Sequence, residues 1–186
     1  MNEKKTKFRT LVILIDFRGH PILGNEYTNT RRYSMLKRLL FRTDEEMVFV
    51  SNKGKKDKML VELQHLVGLE NRHTWLNIDP DIPEELSTIV EMVRTAGFEI
   101  HNVVIGGCNT SGCVLNAKHF SALQWAKEGY YTEIWLTLCA EYQQPGVNDH
   151  ESAMISFGMI YEVIKKEQLW DKIDVTCSTL PKLKGN

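Results

Sequence analysis

A long apolar run is the first thing this sequence lacks. The stretch "LVILI" (11–15) is far too short to span a bilayer, and the N-terminus carries no signal-peptide-like apolar segment, so a cytoplasmic protein away from membranes is expected. Net charge is nearly absent too, at −1 by formal count, which removes any electrostatic reason to expect nucleic acid or a lipid surface as partner. The basic run "KGKKDK" (53–58) is local and reads as a solvated loop. Cysteine is sparse: four residues, at 108, 113, 139 and 177, do not make a disulfide framework in a chain of 186. Cys108 and Cys113 stand five apart, wider than redox dithiols and zinc knuckles usually are, so neither a disulfide nor a metal is expected there. Repeats, linkers and low-complexity tracts are missing as well. With 42% hydrophobic and 25% charged residues, residues 1–186 read as one globular domain with a substantial core.

What is present is alternation. "TLVILID" (10–16), "MVFVSN" (47–52), "NVVIGG" (102–107) and "TEIWLTL" (132–138) are short and apolar on both faces, the pattern of strands in a parallel sheet covered by helices. "HTWLNI" (73–78) is a weaker strand, and "KIDVTC" (172–177) is placed to close the sheet. Helical patterns fill the gaps. "NTRRYSMLKRLLF" (29–41) sets Tyr33, Leu36, Leu39 and Leu40 on one stripe. "PEELSTIVEMVRTAG" (83–97) has a proline in its expected first turn and a glycine at its end, and "SGCVLNAKHFSALQWAKEG" (111–129) also stops at a glycine. "DHESAMISFGMIYEVIKKE" (149–167) has a long apolar face and finishes in lysines. The expected fold is α/β: a three-layer, doubly wound sandwich around a mainly parallel, six-stranded sheet.

Ligands of such sheets sit beyond the C-terminal strand ends, near the reversal of strand order. That rule selects Asp16, Ser51 to Lys55, Leu76 to Asp79, Gly106 to Cys113 and Thr137 to Glu141. If a helix starts near Thr110 or Ser111, Cys113 lies in its first turn, where free N–H groups and the positive end of the helix favour thiolate over thiol. Such a thiolate is a nucleophile, and the same N–H groups are suited to an oxyanion. A small cysteine packed under a helix is the alternative. Asp16 ends an apolar strand, where a carboxylate serves as a base toward that thiol or caps the next turn. His20 and His73 are placed to line the same cleft, or are structural. Trp75 offers a ring for stacking, or belongs to the core.

The stretch "VVIGGCNTSGCVLNAKHFSALQWAKEGY" (103–130) resembles the signature of the isochorismatase-like cysteine hydrolases, the superfamily that includes nicotinamidases. The resemblance extends to "VILIDF" (12–17), "TLCAEY" (137–142) and "HESAM" (150–154). It implies that Cys113 is the nucleophile, forming a thioester with a small carboxamide or related metabolite, and that Asp16 takes the thiol proton. It further implies an oxyanion hole from the backbone N–H groups of Asn109 and Cys113, in a loop shared with Cys108 and Thr110. Trp75, Asn77 and His20 are the remaining candidates for substrate contact.

Three departures accompany the resemblance. The superfamily's catalytic lysine has no counterpart, since no lysine lies between Lys58 and Lys118, and Leu76 or Asn77 stands nearest its place. "DFRGH" has Arg18 where the superfamily usually has glutamine, and "VSNKGKKDK" lacks the Asp-x-His metal motif of nicotinamidases. No cofactor and no metal are therefore expected, and nicotinamidase activity is not. Two readings stay open: a hydrolase of C–N bonds, or a catalytically degenerate relative that binds a small metabolite or serves as an oligomeric scaffold. The apolar helix 149–167 leads us to expect a homo-oligomer, a dimer or tetramer; burial of that helix in its own core is the alternative.

Overall fold

Six strands pair in parallel throughout, in the order β3-β2-β1-β4-β5-β6. They are β1 (Lys7–Ile15), β2 (Met47–Ser51), β3 (Thr74–Asn77), β4 (Phe98–Cys108), β5 (Thr132–Ala140) and β6 (Ile173–Thr176). Helix α1 (Leu86–Thr95) follows β3, a π-helix (Thr110–Ala117) and α2 (Ala122–Lys127) follow β4, and α3 (Asp149–Glu167) follows β5. This computed structural model describes residues 7–15, 32–37, 46–51, 61–62, 64–65, 73–78, 85–108, 110–140 and 149–176. No helix among them is long and apolar enough to cross a membrane.

The period-2 geometry of a strand splits the core into two layers. Leu11, Ile13 and Ile15 of β1 point into a cluster covered by Ile89 and Val93 of α1, Val114 and Leu115 of the π-helix, Trp125 of α2, and Ile160 and Ile164 of α3. Val12 and Leu14 point to the opposite face and meet Phe49, Val104, Leu138 and the helical segment 32–37 through Met35 and Leu36. Helices on both faces of a parallel sheet complete the expected sandwich, which explains why β2 is buried at all five positions.

Three boundaries differ from the sequence reading. Strand β4 begins at Phe98, because Lys7 to Arg9 of β1 pair with Phe98 to Ile100 before a bulge at His101. Those first residues alternate between half-buried and exposed, with Glu99 and His101 outward, so they lack the two-sided apolar pattern of the rest of β4. Helix α1 starts at Leu86 behind an extended Glu85, so Pro83, outside the described residues, precedes the helix rather than opening it. The expected helix 111–129 is two helices joined by a turn at Lys118 to Ser121. Phe120 and Trp125 are both fully buried in one cluster, yet in a continuous α-helix five residues apart they would point about 140° away from each other. Breaking the helix puts both rings in the core, where Trp125 Nε1 donates to the Phe120 carbonyl at 3.0 Å. Both predicted glycine stops hold, with α1 ending before Gly97 and α2 before Gly129.

Gly107 lets β1 and β4 approach closely. Its φ is 147°, and a Cβ there would run into the carbonyl oxygen of Ile15. Gly107→Ala should therefore destabilise the fold by more than about 3 kcal/mol in a denaturant titration, since backbone strain and a backbone clash act together. A second check comes from Tyr33, whose phenol is pushed up from 10.0 to about 12, first by burial and then by the Glu62 carboxylate. The folded state holds that proton more tightly than the unfolded chain does. Its contribution is present below pH 10 and is lost as pH rises towards 12, so stability should fall more steeply there than in Tyr33→Phe.

Candidate functional site

The strand order reverses between β1 and β4, the two strands on either side of the sheet's switch point. Ligand crevices of open α/β sheets form there, beyond the C-terminal strand ends. The last residue of β1, Ile15, lies in register with Gly107 of β4. Cys108 ends β4 and is buried, with 2% of its surface accessible, and the π-helix begins at Thr110, also buried. Cys113, a free thiol, sits on this π-helix partly buried, packed against the core layer of Ile13, Ile15 and Cys139. Short π-helical stretches recur at functional sites. Asp16, His20 and Asn109 lie outside the described residues, as does the segment 52–60.

Strand β5 is irregular at this same end. Ile105 pairs with Ile134 but Gly107 pairs with Cys139, so β5 spends three more residues than β4 on the interval. Gly106 makes room for the displaced strand, since a Cβ on it would sit 2.5 Å from the Cβ of Leu138. Within the bulge the Thr137 hydroxyl is buried and has no hydrogen-bond partner among the described residues. Arg32, fully buried on the helical segment 32–37, donates from Nε to the Leu138 carbonyl at 3.3 Å and so ties the bulge to the layer on the opposite face. Sequence reasoning passed over Arg32. The signal was available: Arg32 shares a helical stripe with Met35 and Leu36, and a cation on an apolar stripe needs a purpose.

The candidates on β3 stand at the far edge of the sheet, three strands from β4. Trp75 stacks on Phe49, with centroids 5.6 Å apart and planes 12° from parallel, in the layer opposite Cys113. Its Nε1 donates to Asn77 Oδ1 at 3.2 Å, and Gln64 Nε2 donates to the same oxygen at 2.7 Å. Leu76 packs against the layer that holds Cys113. His73 precedes β3 at the N-terminal end of the sheet, so it does not line the cleft as expected. Its Nδ1 accepts from the Met47 amide at 3.1 Å, and its ring stands edge-on to Phe49. The structure thus groups Cys108, Thr110 and Cys113 beside the end of β1 and keeps Trp75 and Asn77 apart from them.

No family model and no curated protein matches this sequence. Solved structures do match. YcaC from Pseudomonas aeruginosa, solved with hexane-2,5-diol and covalent acrylamide, aligns with 95% of this chain and 80% of its own at a TM-score of 0.58 and 11% identity. The Escherichia coli YcaC gene product, described as an octameric hydrolase of unknown specificity, aligns with 90% of this chain and 75% of its own at a TM-score of 0.58 and 13% identity. The nicotinamidase SaPncA from Staphylococcus aureus aligns over 90% of this chain and 99% of its own, with a TM-score of 0.53 and 13% identity. Identities this low speak to architecture alone. The parallel six-stranded sheet with flanking helices is an α/β fold that matches these isochorismatase-like neighbours.

Proposed function

We propose that this chain is a cysteine hydrolase that cleaves the C–N bond of a small carboxamide or related metabolite. Residues 1–186 act as one isochorismatase-like domain in this reading, with the cytoplasm as the place of action. The observation that carries it is the registry of Ile15 with Gly107 at the switch point, with partly buried Cys113 on the π-helix that follows β4. Asp16 is the next residue after Ile15 in the chain.

The proposed chemistry is nucleophilic catalysis. The Asp16 carboxylate accepts the Cys113 proton as the sulfur attacks the carbonyl carbon. The resulting oxyanion is held by the backbone N–H groups of Asn109 and Cys113. Collapse breaks the C–N bond, and the leaving amine departs with the proton from Asp16. Water, deprotonated by Asp16, then attacks the thioester carbonyl, releasing a carboxylic acid and restoring the thiol. Cys108 and Thr110 hold the loop from beneath, and His20 is assigned to the substrate side. A nicotinamidase and a YcaC carrying covalent acrylamide among the fold neighbours support amide chemistry at this site.

One observation favours the second reading, a degenerate relative that binds a metabolite without turnover or acts as a scaffold. At the β3 end, where the superfamily's lysine is expected, Leu76 is apolar and the Asn77 amide is engaged by Trp75 and Gln64. Loss of one member of a catalytic unit can remove nearly all its rate. A homo-oligomer fits either reading, and the octameric Escherichia coli neighbour supports it.

Against a panel of small carboxamides, Cys113→Ala and Asp16→Asn should each lower turnover by roughly a thousandfold or more. A substrate hydrolysed equally well by both variants rules the mechanism out, and a panel with no substrate at all favours the binding reading. In the native protein iodoacetamide should label Cys113 while sparing Cys108 and Cys139, which have 2% and 3% of their surface accessible. Mass spectrometry finding the three labelled at one rate would contradict that placement.

A further inference from the structure

The bulge in β5 leaves part of that strand without ladder partners close to Cys113. Between Ile134 and Cys139 it carries three more residues than β4 spends between Ile105 and Gly107. Residues inside a bulge are not fixed by the ladder, so other contacts must set where the strand resumes. Two such contacts meet at Leu138. On one side it stands so close to Gly106 that a Cβ added there would lie 2.5 Å from its own. On the other, the fully buried Arg32 donates from Nε to its carbonyl at 3.3 Å. A charged donor makes a stronger and more directional bond than a neutral one, at a higher cost of desolvation.

Leu138 faces the layer shared with Met35 and Leu36, while the next residue, Cys139, faces the layer in which Cys113 packs. The Leu138 carbonyl carbon is bonded to the Cys139 nitrogen, so a contact that fixes one restrains the other. Cys139 lies in register with Gly107, and Gly107 with Ile15, one row across three strands. Ile15 and Cys139 both belong to the buried cluster that Cys113 packs against. The route from Arg32 to Cys113 therefore crosses the sheet through a single peptide unit.

From this we infer that Arg32 is a positioning residue for Cys113: its bond to the Leu138 carbonyl holds the β5 bulge, and with it the floor under the sulfur. The inference rests on the hydrolase reading above only for the naming of that sulfur as nucleophile. Attack on a carbonyl carbon tolerates little misplacement, and a shift of about 1 Å can cost roughly a hundredfold in rate. A side chain buried on one face of the sheet thus governs a thiol carried on the other.

Iodoacetamide labelling of the purified full chain, followed cysteine by cysteine in the mass spectrometer, tests it, with folding checked by circular dichroism. Arg32→Met keeps the stem and removes the donor, so Cys113 should label about tenfold more slowly, or slower still, than in wild type. Cys108 and Cys139 should stay protected, which separates a displaced sulfur from an opened core. Arg32→Lys keeps a cation with a donor and should recover most of the rate. Gly106→Ala pushes on Leu138 from the other side and leaves the buried charge alone, so it probes the same route if Arg32→Met fails to fold. Because both changes act through Leu138, the double variant should label no more slowly than the slower single one. On a carboxamide that wild type hydrolyses, Arg32→Met should lower kcat by about tenfold or more and change KM by less than about threefold. Folded Arg32→Met and Gly106→Ala proteins that label Cys113 at the wild-type rate overturn the inference. So do effects that multiply in the double variant, or Arg32→Lys labelling no faster than Arg32→Met. A folded Arg32→Met protein in which Cys108, Cys113 and Cys139 label alike makes Arg32 a brace of the core and nothing more, which overturns it too. Turnover that survives in Cys113→Ala overturns the hydrolase reading alone, since the labelling rates still decide the part played by Arg32.

Discussion

The close parallel contact between β1 and β4 is the constraint on which the rest of this structure depends. Nine residues of β1 find partners on β4, and the last pair, Ile15 with Gly107, meets where a side chain on β4 has no room. Because β1 also pairs with β2 on its other edge, this contact joins the two halves of the sheet. It also places the C-terminal ends of β1 and β4 side by side, where open α/β sheets bind their ligands.

Beyond the switch point, irregular backbone takes over from ladder geometry. The three extra residues in β5, the absence of a side chain at Gly106 and the π-helix after β4 all lie at the same end of the sheet. Bulges re-aim side chains at strand ends, and wide helical turns do the same at helix starts. Arg32 braces this region from the opposite layer through the Leu138 carbonyl. A fully buried guanidinium is expensive to desolvate, so its retention at the bulge argues that the shape of this strand end matters. The far edge is different in kind: Phe49, His73, Trp75, Asn77 and Gln64 satisfy one another and need no ligand.

Two parts of the molecule are thus held by different physics. The switch-point end combines a close backbone approach with a partly buried Cys113, while Cys108 and Cys139 are sealed in. The outer helix α3 keeps apolar surface left over once Ile160 and Ile164 have met the sheet, so one helix closes the core from within and stays apolar outside.

Composition and local pattern by themselves determined the strands that are apolar on both faces, the parallel sheet they imply, and the glycines that stop α1 and α2. Each follows from short-range rules: side-chain period, backbone freedom and helix-end chemistry. They also singled out Cys113, because a strand, two glycines and a helix start are contiguous in the chain. Tertiary structure decided how far β4 extends, its half-buried beginning pairing with Lys7 to Arg9 of β1. It decided the break at Phe120, where one core claims two rings that a single helix would separate. The burial of Arg32, the N-terminal placement of His73 and the removal of Trp75 to the opposite layer belong to the same class. Each depends on a partner distant in sequence, and no local pattern encodes which face of a sheet that partner will occupy.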